Sequence, residues 1–159
     1  MQGKSLTKEQ AFEKLKHYCA YQERCHAEAR RKLFELGIRK KESEEIIAGL
    51  IEENYLNEER FAINYAGGKW RIKQWGRIKI EHELLSRGIS AYCIKTALKQ
   101  IDEEDYEKGL EKLARKKYES TAGDERPMRR KKTVEWLMYK GYEKDRIEIA
   151  VKRVMGGKK

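Results

Sequence analysis

The sequence predicts an all-α protein made of three tandem three-helix repeats, each resembling a helix-turn-helix unit, that form an elongated, curved array. One observation behind this prediction is a pattern that occurs three times: two apolar residues, two variable residues, a glycine and a further apolar residue. Its glycines, Gly37, Gly88 and Gly141, recur about every 50 residues, a spacing typical of repeat proteins. The second observation is that the apolar residues around each glycine are spaced as on one helical face, without the sustained alternation of a strand. The predicted repeats span 1–54, 55–102 and 103–159.

The first helix of each repeat is predicted from apolar residues spaced three and four apart, which lie on one helical face. Thr7 and Gln10 have the spacing of a capping box that opens the first of these helices, and Asn57 can cap the second. The apolar faces predicted for the three helices are Ala11, Phe12, Leu15, Tyr18 and Cys19; Phe61, Ala62, Tyr65 and Ala66; and Tyr106, Leu110, Leu113 and Ala114.

The second helix of each repeat is predicted to end at the recurring glycine, because glycine adopts the left-handed conformation of a helix end without the penalty of a Cβ atom. A third helix follows, with Ser90 as a candidate N-cap in the middle repeat. In the last repeat, residues 120–126 are predicted to form a loop, and Pro127 suits the first turn of a helix. The apolar faces of the third helices are Ile46, Ile47 and Leu50; Ala97, Leu98 and Ile101; and Ala150, Val151 and Val154.

The composition favours a folded, basic protein with thin cores. Charged residues make up 40% of the 159 residues, and the formal net charge is +10. Such a protein attracts polyanions, because lysine and arginine release counterions when they bind phosphates. No stretch approaches the roughly 20 apolar residues of a membrane helix, and no apolar leader follows Met1. We therefore expect a cytoplasmic monomer with no membrane partner and no extension beyond the closing residues 156–159.

Residues that could bind a metal are present but poorly spaced. His17, Cys19, Cys25 and His26 lie close together in the sequence, whereas structural zinc sites use two close pairs separated by a longer span. Cys19 belongs to an apolar face, and Cys25 takes an N-cap position with Glu28 three residues later. We therefore predict no metal site, and the unpaired cysteines fit a reducing compartment.

Catalytic residues are equally unsupported. Cys93 and His82 lie in different predicted helices, and the spacing identifies no third group to orient them. The sequence also contains no glycine-rich loop of the kinds that bind nucleotide phosphates. We predict that the protein is not an enzyme and needs no cofactor.

Two basic runs contain the candidate binding residues. One interleaves cations with two tryptophans over 69–79, and the other places five cations within 126–132. Both lead into the second helix of a repeat, where free amides and the helix dipole favour an anion. We expect contacts to a partner or to nucleic acid from Lys69, Trp70, Arg71, Lys73, Trp75, Arg77, Lys79, Arg126, Arg129, Arg130, Lys131 and Lys132. The alternative is that these cations are simply solvated.

Two details near the first run leave alternatives open. Trp70 and Trp75 could stack on bases or fill a core, and we expect one of the two to lie in the core of the middle repeat. Gly67 and Gly68, which precede the run, indicate either a hinge or close backbone approach, or simply the end of a helix.

Residues 55–62, Tyr-Leu-Asn-Glu-Glu-Arg-Phe-Ala, resemble the Tyr-Leu-Asp-Asp-x-Arg-Phe-Ala motif of the bacterial RecX family of recombinase regulators. Residues 75–80 and 83–89 are similar to the next helix and glycine turn of that family. The first and third repeats match the family in spacing, so the resemblance covers nearly the whole chain.

This resemblance implies a modular all-α protein that binds the RecA recombinase and can also bind DNA. RecX proteins are understood to lie in the groove of the RecA filament on single-stranded DNA, where they limit filament growth or promote its disassembly. The resemblance therefore implies a non-enzymatic inhibitor that acts on recombination, DNA repair and the SOS response. Its partners would be the RecA filament and single-stranded DNA, with duplex DNA as a further candidate.

Two other functions fit a helical fold. A helix-turn-helix transcription regulator would need arginine, asparagine or glutamine directed at base edges, whereas the third helix of the first repeat carries Glu42, Glu44 and Glu45. An RNA-binding helical-repeat protein would need a repeated pair of base-reading side chains, which the sequence lacks. Both functions rank below regulation of RecA.

Overall fold

The computed structural model describes residues 6–156, and these contain nine α-helices and no strand. The all-α prediction is therefore confirmed. Residues 1–5 and 157–159, on which part of the expectation about the chain's ends rests, lie outside the described residues. The helices are α1 Lys8–Tyr21, α2 His26–Glu35, α3 Lys40–Glu52, α4 Glu58–Gly68, α5 Arg77–Ser86, α6 Ala91–Lys99, α7 Glu103–Ser120, α8 Arg126–Lys140 and α9 Lys144–Gly156.

The recurring glycine ends α2, α5 and α8 in the same way. Gly37, Gly88 and Gly141 have φ angles of 80°, 80° and 99°, in the left-handed region. In each turn the amide after the glycine donates to the carbonyl of the leucine that opens the pattern, at 3.0 Å for Ile38 to Leu33. The equivalent distances are 3.1 Å in the second turn and 3.2 Å in the third. This is the Schellman arrangement, which explains why leucine, glycine and a final apolar residue recur as one unit.

The predicted helix starts are confirmed. Thr7 and Gln10 form both hydrogen bonds of a capping box, and Asn57 Oδ1 accepts from the Arg60 amide at 2.9 Å. Ser90 Oγ accepts from the Cys93 amide at 3.3 Å. The predicted loop is shorter than expected, since α7 includes residue 120 and α8 already begins at residue 126.

The buried side chains form two cores. One core belongs to α1–α3, and the other runs continuously from α4 to α9. Tyr55 and Leu56, which were assigned to the second repeat, pack with the first core, so the packing boundary falls after Leu56. Cys25 of the first repeat is buried in the second core. The last two repeats thus share one core, and the first is attached through a few interlocking side chains.

The three cysteines are buried free thiols with exposed fractions of 7% at Cys19, 1% at Cys25 and 8% at Cys93. Burial raises the pKa of the Cys19 thiol to about 11. Because the thiolate is the reactive form, we expect native protein at pH 8 to react slowly with a thiol reagent, and all three cysteines to react in denaturant. Rapid labelling of one cysteine in native protein would contradict this packing.

Within residues 6–156, no group of three histidine, cysteine, aspartate or glutamate side chains is close enough to hold a metal ion. No helix of the same part of the chain is long and apolar enough to cross a membrane.

Candidate nucleic-acid interface

The first basic run begins as a continuation of α4. After Gly68 the helix widens into a π-helical segment, Lys69–Lys73, which ends at Gln74 in the left-handed conformation, with φ 61°. Gly67 and Gly68 therefore do not end the helix. A Cβ atom on Gly67 would lie 2.8 Å from the Arg71 guanidinium, whereas one on Gly68 would meet nothing within 4 Å. The close approach at Gly67 is thus to a side chain. π-Helical turns are uncommon and are enriched at functional sites.

The backbone after this segment is joined directly to the last repeat. The Gly76 amide donates to the Lys140 carbonyl at 2.8 Å, and the Ile78 amide donates to the Gly141 carbonyl at 2.9 Å. A Cβ atom on Gly76 would lie 2.4 Å from the Gly141 carbonyl carbon and oxygen. Two glycines from different repeats therefore allow the start of α5 to lie against the end of α8.

Arg77 lies inside this junction rather than on a binding face. Its guanidinium bonds Glu103 at 2.8 Å and Glu143 at 3.1 Å, and it stacks 3.7 Å from the centre of the Tyr106 ring. Tyr106 Oη in turn donates to Glu143 at 2.6 Å, and burial together with that carboxylate raises the pKa of the tyrosine. The Arg77 charge is already balanced, so we assign it a structural role.

The prediction that the start of α5 binds an anion through its free amides is wrong, because these amides are already hydrogen-bonded. The Arg77 amide donates to Tyr106 Oη at 3.0 Å, and the Ile78 amide donates to the Gly141 carbonyl. These first-turn amides face the last repeat and are not available to a phosphate. Any anion bound here must therefore be held by side chains.

Three lysine side chains that could hold an anion meet at the junction: Lys73 and Lys79 of the second repeat, and Lys140 of the third. Lys140 Nζ donates to the Lys73 carbonyl at 2.8 Å. Partial burial, together with the positive charges of Lys79 and Lys73, holds the pKa of the Lys140 ammonium below its usual value. None of the three lysines forms an ion pair with a carboxylate in the described part of the chain. Unbalanced like charges repel one another, and a bound anion would relieve that repulsion.

Aromatic rings alternate with these cations. The Nζ atoms of Lys69 and Lys79 lie 5.1 and 4.8 Å from the centre of the Trp75 ring. The centre of the Tyr139 ring lies 4.8 Å from Lys79 Nζ, and Tyr139 is 74% exposed. Cations interleaved with aromatic faces are characteristic of surfaces that bind single-stranded nucleic acid. We call this surface the junction patch: Lys69, Lys73, Trp75, Lys79, Trp136, Tyr139 and Lys140.

Only part of the junction patch was predicted from the sequence. Lys69, Lys73, Trp75 and Lys79 belong to the first basic run, whereas the residues contributed by α8 were not among the candidates. Lys140 Nζ donates to the Lys73 carbonyl and Lys79 Nζ lies 4.8 Å from the centre of the Tyr139 ring, which places the aromatic segment 136–140 beside the first basic run. The available signal was the cluster of two aromatic residues and a lysine just before Gly141.

The two tryptophans of the first run differ from the expectation that one would fill a core. Both are half-buried and pack against the shared core of the last two repeats. An ideal Cβ on Gly109 of α7 would lie 3.9 Å from Trp70 Cζ2, so Trp70 faces the last repeat. Arg71 and Lys73, between them, are exposed.

The second basic run lies at the opposite end of α8 from the junction patch, and several of its charges are engaged. Arg129 bonds the Tyr118 carbonyl at 2.9 Å and Thr121 Oγ1 at 3.2 Å, and so caps the end of α7. Arg130 pairs with Glu148, and Lys132 pairs with Asp124 at 2.8 Å. Among residues 6–156, Arg126, Arg129 and Lys131 are the three cations of this run without a carboxylate partner, and of these Arg129 is held by its bonds to α7.

Comparison with known proteins shows similarity to one family. Family models for the second and third three-helix domains of RecX match residues 57–98 and 103–151. The regulatory protein RecX of Clostridium perfringens strain 13 is 34% identical over 129 residues, covering 80% of this chain and 60% of that protein. RecX of Lactococcus lactis subsp. cremoris strain SK11 is 29% identical over 153 residues, covering 94% of this chain and 54% of that protein. The chain thus spans little more than half the length of these curated relatives.

Solved structures agree on the fold. The crystal structure of RecX from Lactobacillus salivarius aligns with a TM-score of 0.85 at 23% identity, over 93% of this chain and 96% of that one. A second crystal structure of regulatory protein RecX aligns with a TM-score of 0.82 at 23% identity, over 96% of this chain and 80% of the other. At this identity the likeness establishes the architecture alone.

Proposed function

The chain belongs to the RecX family of regulatory proteins, and from this premise we propose that it inhibits the RecA recombinase by binding the RecA filament on single-stranded DNA. The array of repeats lies in the filament groove, where it limits growth or promotes disassembly. Recombination, DNA repair and the SOS response are restrained as a consequence. The protein acts by binding, as a monomer and without catalysis or a cofactor.

The observation that carries the proposal is the junction patch. Its lysines come from both sides of a rigid backbone junction, so they can contact successive phosphates of one strand. Trp75 and the exposed Tyr139 offer faces on which unpaired bases can stack, a contact that is worth about 1–3 kcal/mol per base. A duplex hides its base faces, so this chemistry favours a single strand. Weak contacts from three repeats add up because they are linked in one chain.

Sequence-specific duplex binding is less well supported. On α3, Glu44 is paired with Arg30 at 2.8 Å and Glu45 with Lys8 within hydrogen-bond distance. These carboxylates are neutralised within the repeat, and α3 contains no arginine, asparagine or glutamine that could read a base edge. We therefore do not place a recognition helix in the first repeat.

The test adds the protein to preformed RecA filaments on single-stranded DNA and follows ATP hydrolysis and filament length. We expect both to fall as the protein is added, and the effect to weaken as salt rises because phosphate contacts release counterions. Filaments that are unchanged at equimolar protein, together with tight binding to one duplex sequence, would support a transcription regulator instead. A charge-reversal variant of the second basic run should be made at Arg126 and Lys131 and should keep Arg129, because the loss of Arg129 would uncap α7.

A further inference from the structure

A groove on the first repeat lies apart from the junction patch. It runs between α1 and α2, has a volume of about 570 Å³, and is bordered by Lys14, His17, Tyr18, Tyr21, Arg24 and Lys32. Leu36 also lines it and is half-buried against the first core. Volumes of this order are typical of binding pockets.

The groove combines an apolar floor with a basic rim. Tyr18 and Leu36 form the floor, and 82% of Tyr21 is exposed at the rim. Lys14, Arg24 and Lys32 are cations, whereas Glu13 is the one carboxylate that lines the groove. Glu13 is itself paired with Lys16 at 3.3 Å, so it does not cancel the charge of the rim. Large exposed aromatic residues beside arginine are a composition enriched at protein interfaces.

Its geometry favours a protein segment over nucleic acid. The Arg24 guanidinium stacks 3.8 Å from the centre of the half-buried Tyr18 ring and so covers the face that a base would need. The lysines of the junction patch lie farther from their rings, 4.8–5.1 Å from the centres of Trp75 and Tyr139. The Arg24 side chain is further held by a hydrogen bond to the Tyr18 carbonyl at 3.2 Å. A second copy of this chain is disfavoured because each copy carries a net charge of +10.

We propose that the α1–α2 groove docks an acidic segment of a protein partner, with an aliphatic or aromatic side chain of that segment seated on Tyr18 and Leu36. The carboxylates of the segment pair with Lys14 and Lys32 at the rim. Because the first repeat has its own core, it presents this groove independently of the junction patch. The proposal goes beyond the proposed function and does not depend on it.

The test uses the full chain and a short fluorescein-labelled peptide that alternates aspartate with leucine, followed by fluorescence anisotropy. Two control peptides replace leucine with serine, at equal charge, or aspartate with lysine. The protein variants are Lys14→Glu combined with Lys32→Glu, and Tyr21→Ala. The controls are Lys41→Glu combined with Lys95→Glu, which makes the same change in net charge at two exposed lysines outside the groove, and Tyr92→Ala, at a tyrosine that is 73% exposed.

We expect the peptide of aspartate and leucine to bind the native chain. Lys14→Glu combined with Lys32→Glu should lower the affinity for this peptide by about tenfold or more, and Tyr21→Ala should lower it by less. The double control Lys41→Glu with Lys95→Glu, and Tyr92→Ala, should bind as the native chain does. Equal affinity for the serine peptide, or equal binding by the double variant, would overturn the proposal. So would displacement of the peptide by an oligothymidylate, which would make the groove a nucleic-acid site. Neither RecA nor filament is present, so failure here leaves the proposed function standing.

Discussion

Replacing Gly141 by alanine is expected to destabilise the chain by about 3 kcal/mol or more, whereas the same change at Gly88 should cost about 1–2 kcal/mol. Both glycines are in the left-handed conformation, so both variants carry the same kind of backbone strain. A Cβ on Gly88 meets nothing within 4 Å, but one on Gly141 would lie 2.7 Å from the Lys79 backbone nitrogen. Backbone cannot move aside as a flexible side chain can, so the junction must open.

Gly76→Ala separates the clash from the strain. Gly76 has a φ of −80°, which alanine adopts freely, yet its Cβ would lie 2.4 Å from the Gly141 carbonyl. The expected loss of stability therefore comes from this clash and not from backbone strain. It includes the hydrogen bonds from the Gly76 and Ile78 amides to the last repeat, which the clash would break. Urea unfolding of Gly76→Ala, Gly141→Ala and Gly88→Ala gives the three free energies. Equal losses in all three variants would show that the junction does not hold the repeats together.

These glycines show which parts of the fold the sequence could predict. Gly141 was identified as a helix-ending residue because that role depends only on neighbours a few positions away. Its contact with the Gly76 segment joins residues more than 60 positions apart, and local spacing carries no information about such a pair. The helices and their apolar faces were predicted for the same reason that the junction was missed: periodicity reports which face is buried, not what it is buried against.

The same limit applies to the residues of the candidate site. Arg77 and Arg129 were predicted to bind because they are cations, but a sequence does not indicate whether a charge already has a partner. The structure places Arg77 between two carboxylates and Arg129 on the end of α7. Conversely, Lys140 was omitted because its aromatic neighbours in the sequence, Trp136 and Tyr139, do not indicate which other cations lie beside it. Its importance comes from Lys73 and Lys79, which belong to a different repeat.

Lys79→Glu is expected to weaken binding to single-stranded DNA by about tenfold or more while leaving the fold as stable as before or slightly more stable. Each lysine that neutralises a phosphate contributes to affinity and adds about 0.7 to the slope of log affinity against log salt. The substitution removes one such contact and places a negative charge near the remaining phosphates. Filament inhibition should fall in parallel, because the junction patch is the proposed contact.

The stability side of this prediction follows from Lys140. The pKa of Lys140 is lower in the folded chain than in the unfolded chain, so folding disfavours the protonated ammonium. The resulting loss of stability is fully present at pH values below the folded pKa. It fades as pH rises from the folded towards the unfolded pKa. A glutamate at position 79 would raise the pKa of Lys140 and turn repulsion into attraction, which is worth about a few tenths of a kcal/mol at a half-exposed site screened by solvent. Free energies of unfolding near neutral pH should therefore be equal to or above those of the native chain.

Lys95→Glu, on the exposed face of α6, is the matched control, with the same change in net charge away from the junction patch. If net charge alone governed DNA affinity, both variants would lose it equally. A difference between them locates the contact at the patch, and unchanged or increased stability of Lys79→Glu excludes unfolding as its cause. The two expected changes in Lys79→Glu have opposite signs: the affinity for DNA falls, whereas the free energy of unfolding stays the same or rises. Because Lys79 does not stabilise the fold, this result would identify it as a binding residue.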